Sequence, residues 1–203
     1  MAIPGGDLRY TIGLDLGQAR NHTALVVLER AWHQATVSEF IASGSRGYNG
    51  EYRYTVVAAE RLALGTPYPR VVGWVKSVVE SYGGAVSDVV VDASGVGSAV
   101  VDAMRRAEIR IPLIGVVITG EQASGPAGGG RTAAGYTTVS RVELLTKLQV
   151  MIQERRFRVD KAKCREWDAL RRELMVLRME GKSRGAQDDL AFALALAVWR
   201  GVR

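Results

Sequence analysis

The chain has 203 residues, 47% of them apolar and 24% charged, a globular composition that excludes disorder, collagen and an extended coiled coil. One cysteine, Cys164, and two histidines, His22 and His33, exclude an intrachain disulfide and a three-histidine zinc centre. The formal charge is +6, but residues 1–100 hold 8 basic and 9 acidic residues while residues 101–203 hold 19 and 12, so a polyanionic partner is expected on the C-terminal half.

Residues 9–16 (RYTIGLDL) and 23–30 (TALVVLER) read as strands joined by a polar turn, GQARNH. A short strand is expected at 35–41 (ATVSEFI) and a longer one at 51–63, so the chain opens as an antiparallel meander. The period then changes. Val71, Trp74, Val75, Val78 and Val79 fall at helical spacing between Pro67/Pro69 and Gly83–Gly84, which predicts a helix. SDVVVDAS predicts a strand, GVGSAVVDAMRRA a helix and IPLIGVVIT a strand, an alternation that indicates parallel strands with crossover helices. Residues 120–135 (GEQASGPAGGGRTAAG) are expected to form a mobile loop, because nothing in them offsets the entropy of ordering. Helices are expected at 139–155, 163–180 and 188–201, with a short strand at RFRV; the last helix is apolar nearly all round and should pack in the core. The order predicts one domain over residues 1–203: an α/β fold whose mixed sheet, an antiparallel meander followed by parallel strands, is flanked by helices in the ribonuclease-H-like layout.

No segment reaches the roughly 20 apolar residues that span a bilayer. The start, MAIPGGDLRY, has no basic region followed by an apolar core. A cytoplasmic protein with no membrane partner is the expectation.

Four acids lie where acids are disfavoured. Asp15 sits inside an apolar strand, Asp92 ends another, and Asp188 and Asp189 open the apolar last helix. Burying a carboxylate costs free energy unless a cation or partner compensates. Each has a plainer role available, as a turn former or a helix cap. Asp15 lies near the end of the first strand and Asp92 at the C-terminal end of a parallel one, the edge where mixed α/β folds bind ligands, and the last helix can bring Asp188 and Asp189 against that same edge. A carboxylate set with almost no histidine is a hard-oxygen site, which selects Mg²⁺ or Mn²⁺. Two such ions, about 3.5–4 Å apart, catalyse phosphodiester hydrolysis.

Other motifs carry less. Gly125–Arg131 resembles a phosphate loop but has Arg131 where lysine belongs and is followed by GYTTVS rather than a helix. GVGSAV has Val100 in place of the third glycine of a dinucleotide fingerprint. GKSRG follows a helix, so it forms no nucleophile elbow. Basic residues cluster at Arg105, Arg106 and Arg110, at Arg155, Arg156, Arg158, Lys161, Lys163 and Arg165, and at Arg171, Arg172, Arg178, Lys182 and Arg184. Of these, Arg105, Arg106, Arg155, Arg156, Lys182 and Arg184, with Arg131 and Arg141, are the candidate DNA-phosphate contacts, for salt-sensitive and sequence-blind binding.

The segments IGLDLGQARNHTALVVLER, LGTPYPRVV, VVVDASGVGSAVVDAMR, VVITG, SRVELLTKLQVMIQERRFRV and AQDDLAFALALAVW resemble, in order, the nuclease domain of tailed-phage large terminase subunits. The resemblance implies a metal-dependent endonuclease that cuts concatemeric viral DNA for genome packaging. It implies that Asp15, Asp92 and the pair Asp188/Asp189 hold the metals, leaving open which of the pair coordinates. Gln187 stands where many relatives have histidine and Arg141 where many have lysine. With no true phosphate loop in the sequence, the resemblance implies that translocation belongs to a terminase ATPase motor, acting with a small terminase subunit and portal in the infected bacterial cell. The alternatives are a Holliday-junction-resolvase-like nuclease using the same acids, an ATP-binding protein of the actin and sugar-kinase type, for which the chain is short, and a non-catalytic DNA-binding packaging adaptor.

Overall fold

The computed structural model describes residues 8–17, 21–44, 50–95, 97–120, 130–177 and 187–202. Its strands are β1 (Arg9–Asp15), β2 (Ala24–Gln34), β3 (Gly50–Arg61), β4 (Val86–Asp92), β5 (Leu113–Thr119), β6 (Thr137–Ser140) and β7 (Phe157–Val159). Its helices are α1 (Val37–Ser43), α2 (Tyr68–Tyr82), α3 (Gly97–Arg106), α4 (Arg141–Gln153), α5 (Trp167–Val176) and α6 (Asp189–Gly201). The strands make one sheet in the order β6-β5-β4-β1-β2-β3-β7. β1, β2 and β3 are antiparallel neighbours, whereas β1–β4, β4–β5, β5–β6 and β3–β7 are parallel. The mixed ribonuclease-H-like sheet read from the sequence is present.

Strand alternation divides the core. Val26, Leu28, Val56 and Val90 face α4, α5 and α6, while Ile12, Leu14, Val27, Val89 and Val91 face α2 and α3. α6 lies against the sheet with residues 190–198 all buried, which is why it carries no polar face. Its close approach depends on Gly13, where a Cβ would run into the Ala193 carbonyl and the Ala197 nitrogen. Gly13→Ala is therefore expected to cost at least about 1–3 kcal/mol by overpacking, read as a lower urea midpoint; an unchanged midpoint would contradict this packing.

Three local expectations are corrected. The segment expected as a strand at 35–41 contains the start of α1. Its β-rich composition is overridden by a reciprocal cap: Thr36 Oγ1 accepts from the Glu39 amide at 3.3 Å and Glu39 accepts from the Thr36 amide at 2.8 Å. The expected 163–180 helix is shorter, Trp167–Val176, preceded by a turn in which the Lys163 and Cys164 amides donate to the Asp160 carbonyl. β6 was not anticipated, since four residues give little alternation to read. Of the 120–135 loop, residues 121–129 lie outside the described residues, and Arg131 forms an antiparallel bridge with Thr137. Among the described residues no helix is long and apolar enough to cross a membrane.

α4 ends in a glycine-type cap built without glycine. Arg155 takes the left-handed conformation, φ 53°, its amide donating to the Ile152 carbonyl at 3.1 Å, and the Arg156 amide donates to that of Met151 at 3.0 Å. Glycine is usual at that position, and a side chain there costs roughly 1 kcal/mol.

Candidate active site

In the parallel pair β1–β4, Leu14 lies beside Val91, so the next residues, Asp15 and Asp92, end neighbouring strands about 4.8 Å apart. Both point to the α6 face: Gly13 and Val90, two residues earlier on each strand, pack against that helix or its cluster. α6 runs antiparallel to β1, with Gly13 against Ala193 and Ala197 and Thr11 against Gly201. Its first residues therefore arrive at the end of β1 that carries Asp15, and Asp188 and Asp189 meet the same sheet edge as Asp15 and Asp92. Partial positive charge at a helix N-terminus favours carboxylates there.

The four acids differ in setting. Asp92 Oδ1 accepts from the Ser94 amide at 2.8 Å, fixing the turn into α3. Asp189, 3% exposed, accepts at Oδ2 from the His22 amide at 3.3 Å. The His22 ring Nδ1 donates to the Leu62 carbonyl at 2.8 Å, which assigns its proton and holds the β1–β2 connection against the end of β3. Asp188, 8% exposed, faces the Arg141 guanidinium at 3.5 Å, which in turn stacks over Phe192 with its central carbon 4.3 Å from the ring centre.

The plainer role for Asp188, capping α6, is filled by another residue. Asp188 stands at the cap position without a side-chain cap bond, and Glu173 of α5 accepts from the Ala191 amide at 2.9 Å instead. Glu173 also pairs with Arg61 at the end of β3, and Arg61 reaches Gln187 Oε1 at 3.5 Å. A carboxylate from a neighbouring helix thus occupies the first turn of α6. Among the described residues, no three histidine, cysteine, aspartate or glutamate side chains close around one point as a ready-made metal cluster.

The candidate DNA contacts scatter. Arg141 joins the acids. Arg105 pairs with Asp102 at 3.0 Å, and it and Arg106 end α3, about 14 Å along that helix from its start at the acidic edge. Arg131 reaches the Gly135 carbonyl at 3.4 Å in the turn before β6. Arg155 and Arg156 follow α4 at the β7 edge of the sheet. Lys182 and Arg184 lie outside the described residues. Sequence reading missed His22, Arg61 and Glu173. Only Glu173 left a signal: it falls on the stripe of Ala169 and Leu170, where an acid is out of pattern. Cys164 is inert packing: it donates to the Val56 carbonyl at 3.3 Å, and burial pushes its thiol up to about 11.

Against solved structures, the chain matches the large terminase nuclease of thermophilic phage G20c at TM-score 0.56, with 20% identity over 96% of this chain and 83% of that one. This is the fold of the terminase nuclease domains. A human cytomegalovirus terminase nuclease domain soaked with Mn has it too, at TM-score 0.57 and 10% identity over 95% of this chain and 83% of that one. So does the large terminase nuclease domain of bacteriophage SPP1 with bound Mn, at TM-score 0.50 and 15% identity over 96% and 87%. No family model matches the sequence, and no curated protein sequence matches it. In this terminase-nuclease fold the acidic edge lies at the carboxyl ends of β1 and β4, under the start of α6.

Proposed function

We propose that the chain is a single nuclease domain of the phage terminase type, a divalent-metal-dependent endonuclease that hydrolyses double-stranded DNA during packaging. The observation that carries this reading is the meeting of Asp15 and Asp92 with Asp188 and Asp189 at one sheet edge, together with the transfer of the α6 cap to Glu173. Capping would otherwise occupy an acid of the Asp188–Asp189 pair.

The donor set fits the metal. Four carboxylates, without thiols or ring nitrogens among them, suit Mg²⁺ or Mn²⁺. Asp15, Asp92 and one or both of Asp188 and Asp189 would hold two ions. Bound there, the ions would activate a water and neutralise charge on the leaving 3′-oxygen. The chain's own groups organise the edge. Ser94 fixes Asp92, the His22 amide holds Asp189, and Arg141, braced by Phe192, holds Asp188. Arg105, Arg106, Arg131, Lys182 and Arg184 are proposed as outer contacts to phosphates. Translocation falls to a partner ATPase motor, with the small terminase subunit and portal completing the machine.

The test is nicking and linearisation of supercoiled plasmid. Cutting with Mn²⁺ or Mg²⁺ and none in EDTA is expected. Equal cutting in EDTA, or none with either metal, would count against the reading.

A further inference from the structure

The sheet's open edge, far from the acids, carries a groove of about 330 Å³ between β3 and the loop joining α4 to β7. Arg53, Arg155, Arg156 and Arg158 line it, with Glu51 and Glu154 as the opposing charges. Those two carboxylates are engaged by Arg53 and Arg156, each at 3.5 Å. Arg155 and Arg158 are exposed and, among the described residues, make no ion pair. The groove therefore offers two uncommitted guanidinium groups, the planar fork that suits phosphate.

Keeping other strands off an open edge is a sufficient reason for Arg158 on β7. It does not account for Arg155. That residue holds the left-handed position of the α4 cap, where glycine would serve the backbone better. Its side chain is exposed, so packing offsets that cost only in part. The cap rewards the backbone conformation but not the choice of arginine over glycine, which points to what the side chain does.

We infer that this groove binds the phosphate backbone of duplex DNA, as a second contact for the substrate cut at the acidic edge. The inference rests on the nuclease reading for the identity of the polyanion. Asp15 and Arg9 pair with Ala24 and Arg30, and Arg30 pairs with Tyr54, so six residues along the strands and three strand spacings separate groove from acids. That is about 25 Å, or some seven base-pair steps from the scissile phosphate. The groove acts on binding and not on the bond being broken.

The test is binding of a fluorescent duplex of about 30 base pairs in EDTA across a salt series, with thermal unfolding alongside. Arg155→Gly is expected to raise Tm by roughly 2 °C while weakening DNA binding about threefold and lowering the salt slope by about one. Adding Arg156→Ser and Arg158→Ser should weaken binding at least about tenfold and lower the slope by two to three. In plasmid cutting the loss should appear in KM and not in kcat. A raised Tm with unchanged affinity and slope would overturn the inference and leave the groove to an acidic protein segment. The two readings fail separately: a wild type that cuts DNA while the groove variants bind normally sinks only the groove, and one that binds through the groove but never cuts sinks only the nuclease.

Discussion

Asp92→Asn is expected to abolish metal-dependent plasmid cutting, a loss of about 10³-fold or more, while thermal stability and DNA affinity in EDTA stay close to wild type. The amide is isosteric, and its oxygen can still accept from the Ser94 amide, so the turn between β4 and α3 survives. What disappears is the negative charge that would bind a hard cation at the proposed site. Asp15→Asn is expected to behave alike, since Asp15 ends the adjacent strand on the same face. The measurement is cutting rate against Mn²⁺ concentration for wild type and both variants. Retained cutting by either would remove that residue from the proposed metal site.

The second large effect concerns stability. Glu173→Ala should destabilise the protein by about 3 kcal/mol or more, because it leaves a nearly buried guanidinium without its partner. Arg61 is 12% exposed and Glu173 5% at the side chain, so water replaces little of the lost pairing. The same change leaves the Ala191 amide without its acceptor in the first turn of α6. Glu173→Gln, which keeps an acceptor but loses the charge, should cost less. Urea unfolding of the two variants measures this. A loss below about 1 kcal/mol for the alanine variant would mean that Arg61 finds another partner and that the cap is dispensable.

Much of this architecture was legible because its signals are local. Alternation in RYTIGLDL, the apolar run in SDVVVDAS and the all-round apolar last helix each identify an element from its own residues. The out-of-place acids followed: Asp15 and Asp92 stand out because the strands around them are apolar, and Asp188–Asp189 because the helix after them is. What stayed hidden depends on neighbours distant in sequence. The bond from Glu173 to the Ala191 amide joins two helices, and its partner Arg61 comes from a strand more than 100 residues earlier. Nor does spacing show that the His22 amide meets Asp189. α1 was hidden for the opposite reason, a local capping box outweighing the β preference of Val37, Phe40 and Ile41. The Arg155 cap was invisible because a left-handed residue is recognised in sequence by glycine, and here there is none.

The central position of α6 has a consequence for how the protein comes into being. It follows every strand and every other described helix in the chain, yet it covers the middle of the sheet and brings two of the four acids. On the ribosome, β1 and β4 emerge first, with one face bare and Asp15 and Asp92 waiting. Only when the segment from Asp188 onward leaves the exit tunnel can the apolar face close and the acidic edge be completed. Closing of the core and completion of the acidic edge are then one event, and a nascent or prematurely terminated chain carries Asp15 and Asp92 without the other two acids.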